Sequence, residues 1–99
     1  MTPEGRTKKR IKEVLHELGA WYCMPMGTGY GRSGVPDFLV CLGGVFIAIE
    51  AKAGKGTTTA LQDRELKRIG EAGGIALVVN EEGLDTLARD LKTFVRERG

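Results

Sequence analysis

The sequence predicts an α/β domain, a mixed central β-sheet flanked by helices in the order α-β-β-β-α-β-α. Three observations predict it. Apolar residues recur at helical spacing near both ends of the chain, two apolar runs meet at a Gly-Gly pair in its middle, and a second helical stretch leads into Ile75-Ala76-Leu77-Val78-Val79. Ninety-nine residues suffice for one core and are too few for two, so residues 1–99 are read as a single domain. No apolar run approaches the ~20 residues of a membrane span, and the basic N-terminus leads into an amphipathic pattern without a signal-peptide core. The expectation is a cytoplasmic protein with no membrane partner.

The first helix opens at Thr2, an N-cap residue, with Pro3 as its first helical position and Glu4 where the helix dipole favours an acid. Ile11, Val14, Leu15 and Leu18 form the packing stripe, and Gly19 ends the helix. Seven residues back from Ile11 lies Glu4, so its carboxylate projects along the packing face at the N-terminal end. His16 falls off the stripe and reads as a surface residue. Arg6, Lys8, Lys9, Arg10 and Lys12 place five cations within seven residues, although the chain's formal net charge is only +2. Such a cluster either contacts phosphates or is a solvated helix face.

Ala20-Trp21-Tyr22-Cys23-Met24 reads as a first strand ended by Pro25. Four glycines then fall within eight residues, Gly27 to Gly34. This stretch lacks the Gly-Lys-Ser/Thr ending of a phosphate-binding P-loop, and a strand follows where a dinucleotide fold needs a helix, so both nucleotide-cofactor readings are rejected. A loop carrying Tyr30 and Arg32 can stack on a base and neutralise a phosphate, or it is an ordinary connection.

The hairpin that follows carries the chemistry. Phe38-Leu39-Val40-Cys41-Leu42 and Val45-Phe46-Ile47-Ala48-Ile49 flank Gly43-Gly44, a pair suited to a primed turn with positive φ at its centre. That turn sets Leu42 opposite Val45 and, counting outward, Asp37 opposite Glu50. Opposed side chains have Cβ atoms roughly 5 Å apart, and like charges so placed repel. Both strands are apolar on both faces and so should be covered on both sides, which makes these acids costly to leave unpaired. A hard divalent cation is the economical compensation, because magnesium is held by one or two carboxylates with water or phosphate completing its shell. Lys52 shares the face of Glu50, and Ala48 leaves room beside it. Cys23 and Cys41 read as small buried hydrophobes without zinc-site spacing, and no disulfide is expected.

Residues 53–58, including Lys55, form a loop. Thr59 then opens a helix with the packing face Gln62, Leu66, Ile69 and Gly73. Thr59 and Gln62 match a capping box, while Gln62 also lies on the sheet-facing side near Glu50 and Lys52; cap and active-site contact are compatible readings. Gly73-Gly74 stops this helix, residues 75–79 form the fourth strand, and Leu84, Leu87, Ala88, Leu91, Phe94 and Val95 mark a closing amphipathic helix, read as core or as a dimer contact.

Asp37 and Glu50 could share a magnesium ion, with the backbone carbonyl of Ala51 as a further oxygen ligand. Such an ion polarises a phosphoryl group and lowers the pKa of a bound water. Lys52 would position that nucleophile or stabilise charge on phosphorus.

Pro36-Asp37, Glu50-Ala51-Lys52 and Gln62, in this element order, resemble the PD-(D/E)xK nuclease superfamily with its restriction-endonuclease-like core. Gly34-Val35-Pro36-Asp37, the Gly-Gly hairpin and Thr59-x-x-Gln62 are similar within it to the VRR-NUC domain, in a stand-alone viral or bacterial form. The resemblance implies that Asp37 and Glu50 bind metal, magnesium with manganese able to substitute, that Lys52 assists the attacking water, and that Gln62 lines the site. It implies that Glu4 completes the site, with Glu13 as the alternative match. It also implies a metal-dependent endonuclease acting on branched or structured DNA, such as Holliday junctions or flaps, and a homodimer. The expected DNA contacts are Arg6, Lys8, Lys9, Tyr30, Arg32 and Lys55. Ala51 departs from the family pattern, where a branched residue is commoner, but only its carbonyl is required. A non-catalytic DNA-binding module on the same fold is the alternative, and a purely structural protein the third reading.

Overall fold

The structure, a computed structural model, describes residues 1–26 and 31–98. The elements are α1 (Pro3–Glu17), β1 (Trp21–Cys23), β2 (Phe38–Leu42), β3 (Val45–Ala51), α2 (Ala60–Glu71), β4 (Ile75–Val79) and α3 (Glu81–Arg98). They follow the expected order. Thr2 caps α1 by accepting a hydrogen bond from the amide of Gly5, and Gly19, at φ +70°, turns the chain out of the helix.

The sheet runs β1-β2-β3-β4, antiparallel across its first two pairings and parallel between β3 and β4. Gly43 and Gly44 both take positive φ, +57° and +79°, and the resulting register pairs Leu42 with Val45 and Phe38 with Ile49. One further step outward brings Asp37 beside Glu50, as the turn chemistry requires. A parallel neighbour for β3 needs a crossover connection, and α2 supplies it.

Period-two alternation divides the sheet into two faces. Phe38, Val40, Ile47 and Ile49 turn to α1 and α3, where they meet Ile11, Val14, Leu15, Leu87 and Leu91 in a core almost wholly withdrawn from solvent. Thr7 joins this buried stripe, its hydroxyl donating to the carbonyl of Pro3. The opposite face is covered in part only. α2, about 18 Å long at 1.5 Å per residue, packs against β4 and reaches β3 at Glu50 through Gln62; Ala48 and Glu50 are buried on this face. Beyond its reach Cys41 is exposed, and Phe46 and Trp21 are 44% and 64% exposed.

Three expectations are thereby corrected. The hairpin strands are covered on both sides only toward β4. Cys23 and Cys41 are exposed free thiols, because both sit on the uncovered half of that face and β1 is a three-residue edge strand. On α2 the packing face is Gln62, Glu65, Leu66 and Ile69; Gly73 lies beyond the cap residue Ala72, exposed and at φ +101°.

The hairpin tip abuts α3. A Cβ on Gly43 would lie 2.4 Å from Val95 Cγ1, in addition to requiring a left-handed backbone. Gly43→Ala should therefore destabilise through both backbone and overpacking, each worth about 1–2 kcal/mol. In a Val95→Ala background only the backbone part should remain. Denaturant unfolding of the four chains of this cycle measures the difference.

Candidate active site

The site forms where the ends of β2, β3 and the first turn of α2 converge. Gly34 makes this convergence possible. It adopts φ +79°, and a Cβ there would lie 2.5 Å from the carbonyl carbon and oxygen of Leu61. The segment leading to Asp37 thus crosses directly over the opening turn of α2, a passage only glycine allows. Pro36, fully buried, then delivers Asp37 to the mouth of the hairpin.

The two acids are clasped through each other's backbone. The amide of Asp37 donates to Glu50 Oε1 at 3.2 Å, and the amide of Ala51 donates to Asp37 Oδ2 at 2.9 Å. Each carboxylate keeps a second oxygen for other partners. Glu50 Oε2 accepts from Gln62 Nε2 at 3.0 Å and lies 3.5 Å from Lys52 Nζ. Asp37 Oδ1 lies 3.5 Å from Lys8 Nζ, which is 3.6 Å from Glu4 Oε2 in turn. Lys8 bridges the acid on α1 to the acid on the hairpin.

Gln62 makes the capping contacts and also reaches Glu50. Its Oε1 accepts from the amide of Thr59, and its own amide donates to Thr59 Oγ1, completing the capping box. Its Nε2 remains for Glu50. The cap fixes the side chain's rotamer, so the donor presented to Glu50 is held rather than free to swing.

Glu50 is 3% exposed. Its pKa is pushed up to about 7, first by burial and then by the Asp37 charge beside it, with Lys52 acting in the opposite sense. Two anions in a desolvated corner are thus balanced incompletely by two lysines and an amide. The donor set fits a hard divalent cation: it consists of carboxylate oxygens at one strand end, with no histidine or cysteine near. Among the described residues no three carboxylate, histidine or cysteine side chains gather as a ready-made cage.

The structure thus brings together Asp37, Glu50, Ala51, Lys52 and Gln62, and reaches Glu4 through Lys8. Glu13 lies elsewhere, paired with Arg10 at 3.2 Å. Of the expected DNA contacts, Arg6 donates to the carbonyl of Met1, Lys9 and Lys55 are exposed, and Tyr30 lies outside the described residues. Lys8 belongs to the site itself. Arg32 is engaged by Glu65, a buried residue that the sequence reading passed over. Both had a signal. Lys8 follows Glu4 by one turn, and Glu65 follows Gln62 by three residues on the same helical face.

Sheet order, crossover helix and clustered acids together define a nuclease-type α/β domain. No family model and no curated protein matches the chain. A solved structure described as a "VRR_NUC domain" aligns with a TM-score of 0.76 and 32% identity, over 90% of this chain and 97% of that one. A second, a "VRR_NUC domain protein", aligns with a TM-score of 0.67 over 91% of this chain and 88% of that one; at 14% identity it supports the fold. The chain belongs to the VRR-NUC domain family.

The raised pKa of Glu50 carries a stability signature. Between its ordinary value of 4.5 and about 7 the folded chain holds a proton that the unfolded chain has released, so stability falls as pH rises through that window. In chelator-treated protein the midpoint should therefore decline from pH 4.5 toward pH 7. Glu50→Gln, which cannot ionise, should flatten it. Denaturant midpoints measured from pH 4.5 to 8 for both chains test this, and equal slopes would contradict it.

Proposed function

We propose that this chain is a metal-dependent endonuclease that hydrolyses DNA phosphodiester bonds, with branched or structured DNA as its substrate. The observation that carries this reading is the clasp of Asp37 and Glu50, with Lys52 and Gln62 both turned to the same Glu50 oxygen. Asp37, Glu50 and the carbonyl of Ala51 would hold the ion, magnesium or manganese in its place. When bound, such an ion polarises a phosphoryl oxygen and makes a bound water more acidic.

The chain's own groups supply the rest. Gln62 orients the Glu50 carboxylate, and the capping box prevents that donor from rotating away. Lys52, its side chain only 13% exposed, holds a fixed positive charge where negative charge grows on phosphorus, and orients the attacking water. Lys8, within ion-pair distance of Asp37 and Glu4, offsets their negative charge and would also be placed to meet the nucleic-acid backbone. Arg6, Lys9 and Lys55 lie exposed on α1 and in the loop after β3, where they can meet phosphates at a distance from the reacting bond.

A domain of this size covers little duplex, so a homodimer presenting two sites to two strands suits a branched substrate. The reading places the protein in the cytoplasm, bacterial or host-cell, in replication, recombination or repair. No helix among the described residues is long and apolar enough to cross a membrane.

A second reading has one observation in its favour. Lys8 and Lys52 already stand within ion-pair distance of Asp37 and Glu50, as they would in a DNA-binding module whose acids are only structural. The two part on cleavage. With magnesium and a labelled four-way junction, the wild-type chain should cut, and Asp37→Ala or Lys52→Ala should lower the rate at least about a hundredfold while binding persists. Unchanged cleavage in both variants refutes the assignment; binding without cleavage in the wild type selects the module.

A further inference from the structure

Outside the acid clasp, the most unusual polar arrangement is the pairing of Arg32 with Glu65. Arg32 lies in the segment that leads to Asp37, five residues before it. Glu65 lies on α2, three residues after Gln62, about 4.5 Å further along the helix axis. The pair therefore sits beside the site. Arg32 donates through Nε to Glu65 Oε1 and through Nη2 to Glu65 Oε2, the latter at 3.0 Å, a two-pronged contact.

The two partners are unequally placed. The Glu65 side chain is 5% exposed and that of Arg32 is 59% exposed. Here the anion is an anchor beneath the surface and the cation is presented above it. The contact uses one edge of a guanidinium that carries five N–H donors in a rigid fork. Arg64 approaches the same carboxylate at 3.9 Å, and the field of Arg68 also reaches it, so three exposed arginines surround one buried acid. Their summed effect, led by the Arg32 hydrogen bond, keeps Glu65 below the usual carboxylate range.

We propose that Arg32, locked in place by Glu65, is a preorganised phosphate clamp that grips the DNA backbone next to the phosphodiester held at Asp37 and Glu50. Glu65 is a positioning residue: it touches no DNA and acts by fixing the guanidinium plane. The clamp also ties the segment bearing Asp37 to the helix bearing Gln62, so gripping the strand and aligning the metal-binding acids share one framework. This inference rests on the nuclease reading and deepens it by naming where the flanking backbone is held.

A sign test distinguishes positioning from charge. Removing an acid beside DNA should tighten binding if charge alone matters, because phosphate affinity is dominated by net cation contact. Equilibrium binding of a fluorescein-labelled four-way junction, measured with calcium in place of magnesium over a range of salt, reads the result. Glu65→Gln should weaken binding about tenfold despite the added net positive charge, the worth of one charge-assisted contact. Arg32→Gln should weaken it similarly, and the double variant no further. Arg89→Gln removes the same charge from α3, on the other face of the sheet, and should stay within about twofold.

Unchanged or tighter binding by folded Glu65→Gln overturns the proposal. Should that variant fail to fold, Arg32→Lys retains the charge without the fork; wild-type binding by it would overturn the clamp, and weakened binding would support it. Wild-type binding that is salt-dependent but indifferent to Arg32→Gln defeats the clamp alone. A wild-type chain that binds no DNA at any salt defeats the nuclease reading and the clamp together.

Discussion

The arrangement depends on a reciprocal contact, in which each of two strand-end acids is held by a backbone amide beside the other. Asp37 donates its N–H to Glu50, and the N–H of Ala51, next to Glu50, is accepted by Asp37. These bonds lie just past the last paired residues of the β2–β3 ladder, Phe38 and Ile49, and fix each carboxylate against the main chain of the opposing strand end. Backbone of this kind does not relax to relieve repulsion. The two anions must be tolerated where they stand, and every neighbouring group can be understood as a response to that demand.

The responses come from three directions. From the residue just past β3 comes Lys52, and from α1 comes Lys8. From α2 comes Gln62, whose orientation is set by a capping box needed in any case to begin the helix. One side chain thus links helix initiation to site geometry. Gly34 is the enabling detail, because its missing side chain lets the segment before Asp37 pass against the α2 backbone. Destabilising the start of α2 would therefore also release the contact between Gln62 and Glu50.

Much of this was legible in the residues. The Gly-Gly pair dictated a two-residue turn, the turn dictated register, and register placed Asp37 beside Glu50; each step follows from backbone sterics alone. The stripe of α1 and the capping box of α2 were equally readable, since both are local patterns. What escaped was set by distance along the chain. The exposure of Cys23 and Cys41 depends on how far α2 extends over the sheet, and apolar composition carries no such information. Glu65 pairs with Arg32 across thirty-three residues of chain, a contact that no local pattern specifies. Lys8 read as one of five cations on α1; its spacing from Glu4 was local, but its place beside Asp37 comes from the docking of that helix against the sheet.

The central claim is that a cation reconciles Asp37 and Glu50. Crystals grown or soaked with manganese, measured near the manganese absorption edge, address it directly. The account predicts an anomalous peak at Asp37 and Glu50, within reach of both carboxylates. A site in which both acids keep their lysine partners and no peak rises between them, at manganese concentrations that support cleavage, would contradict it.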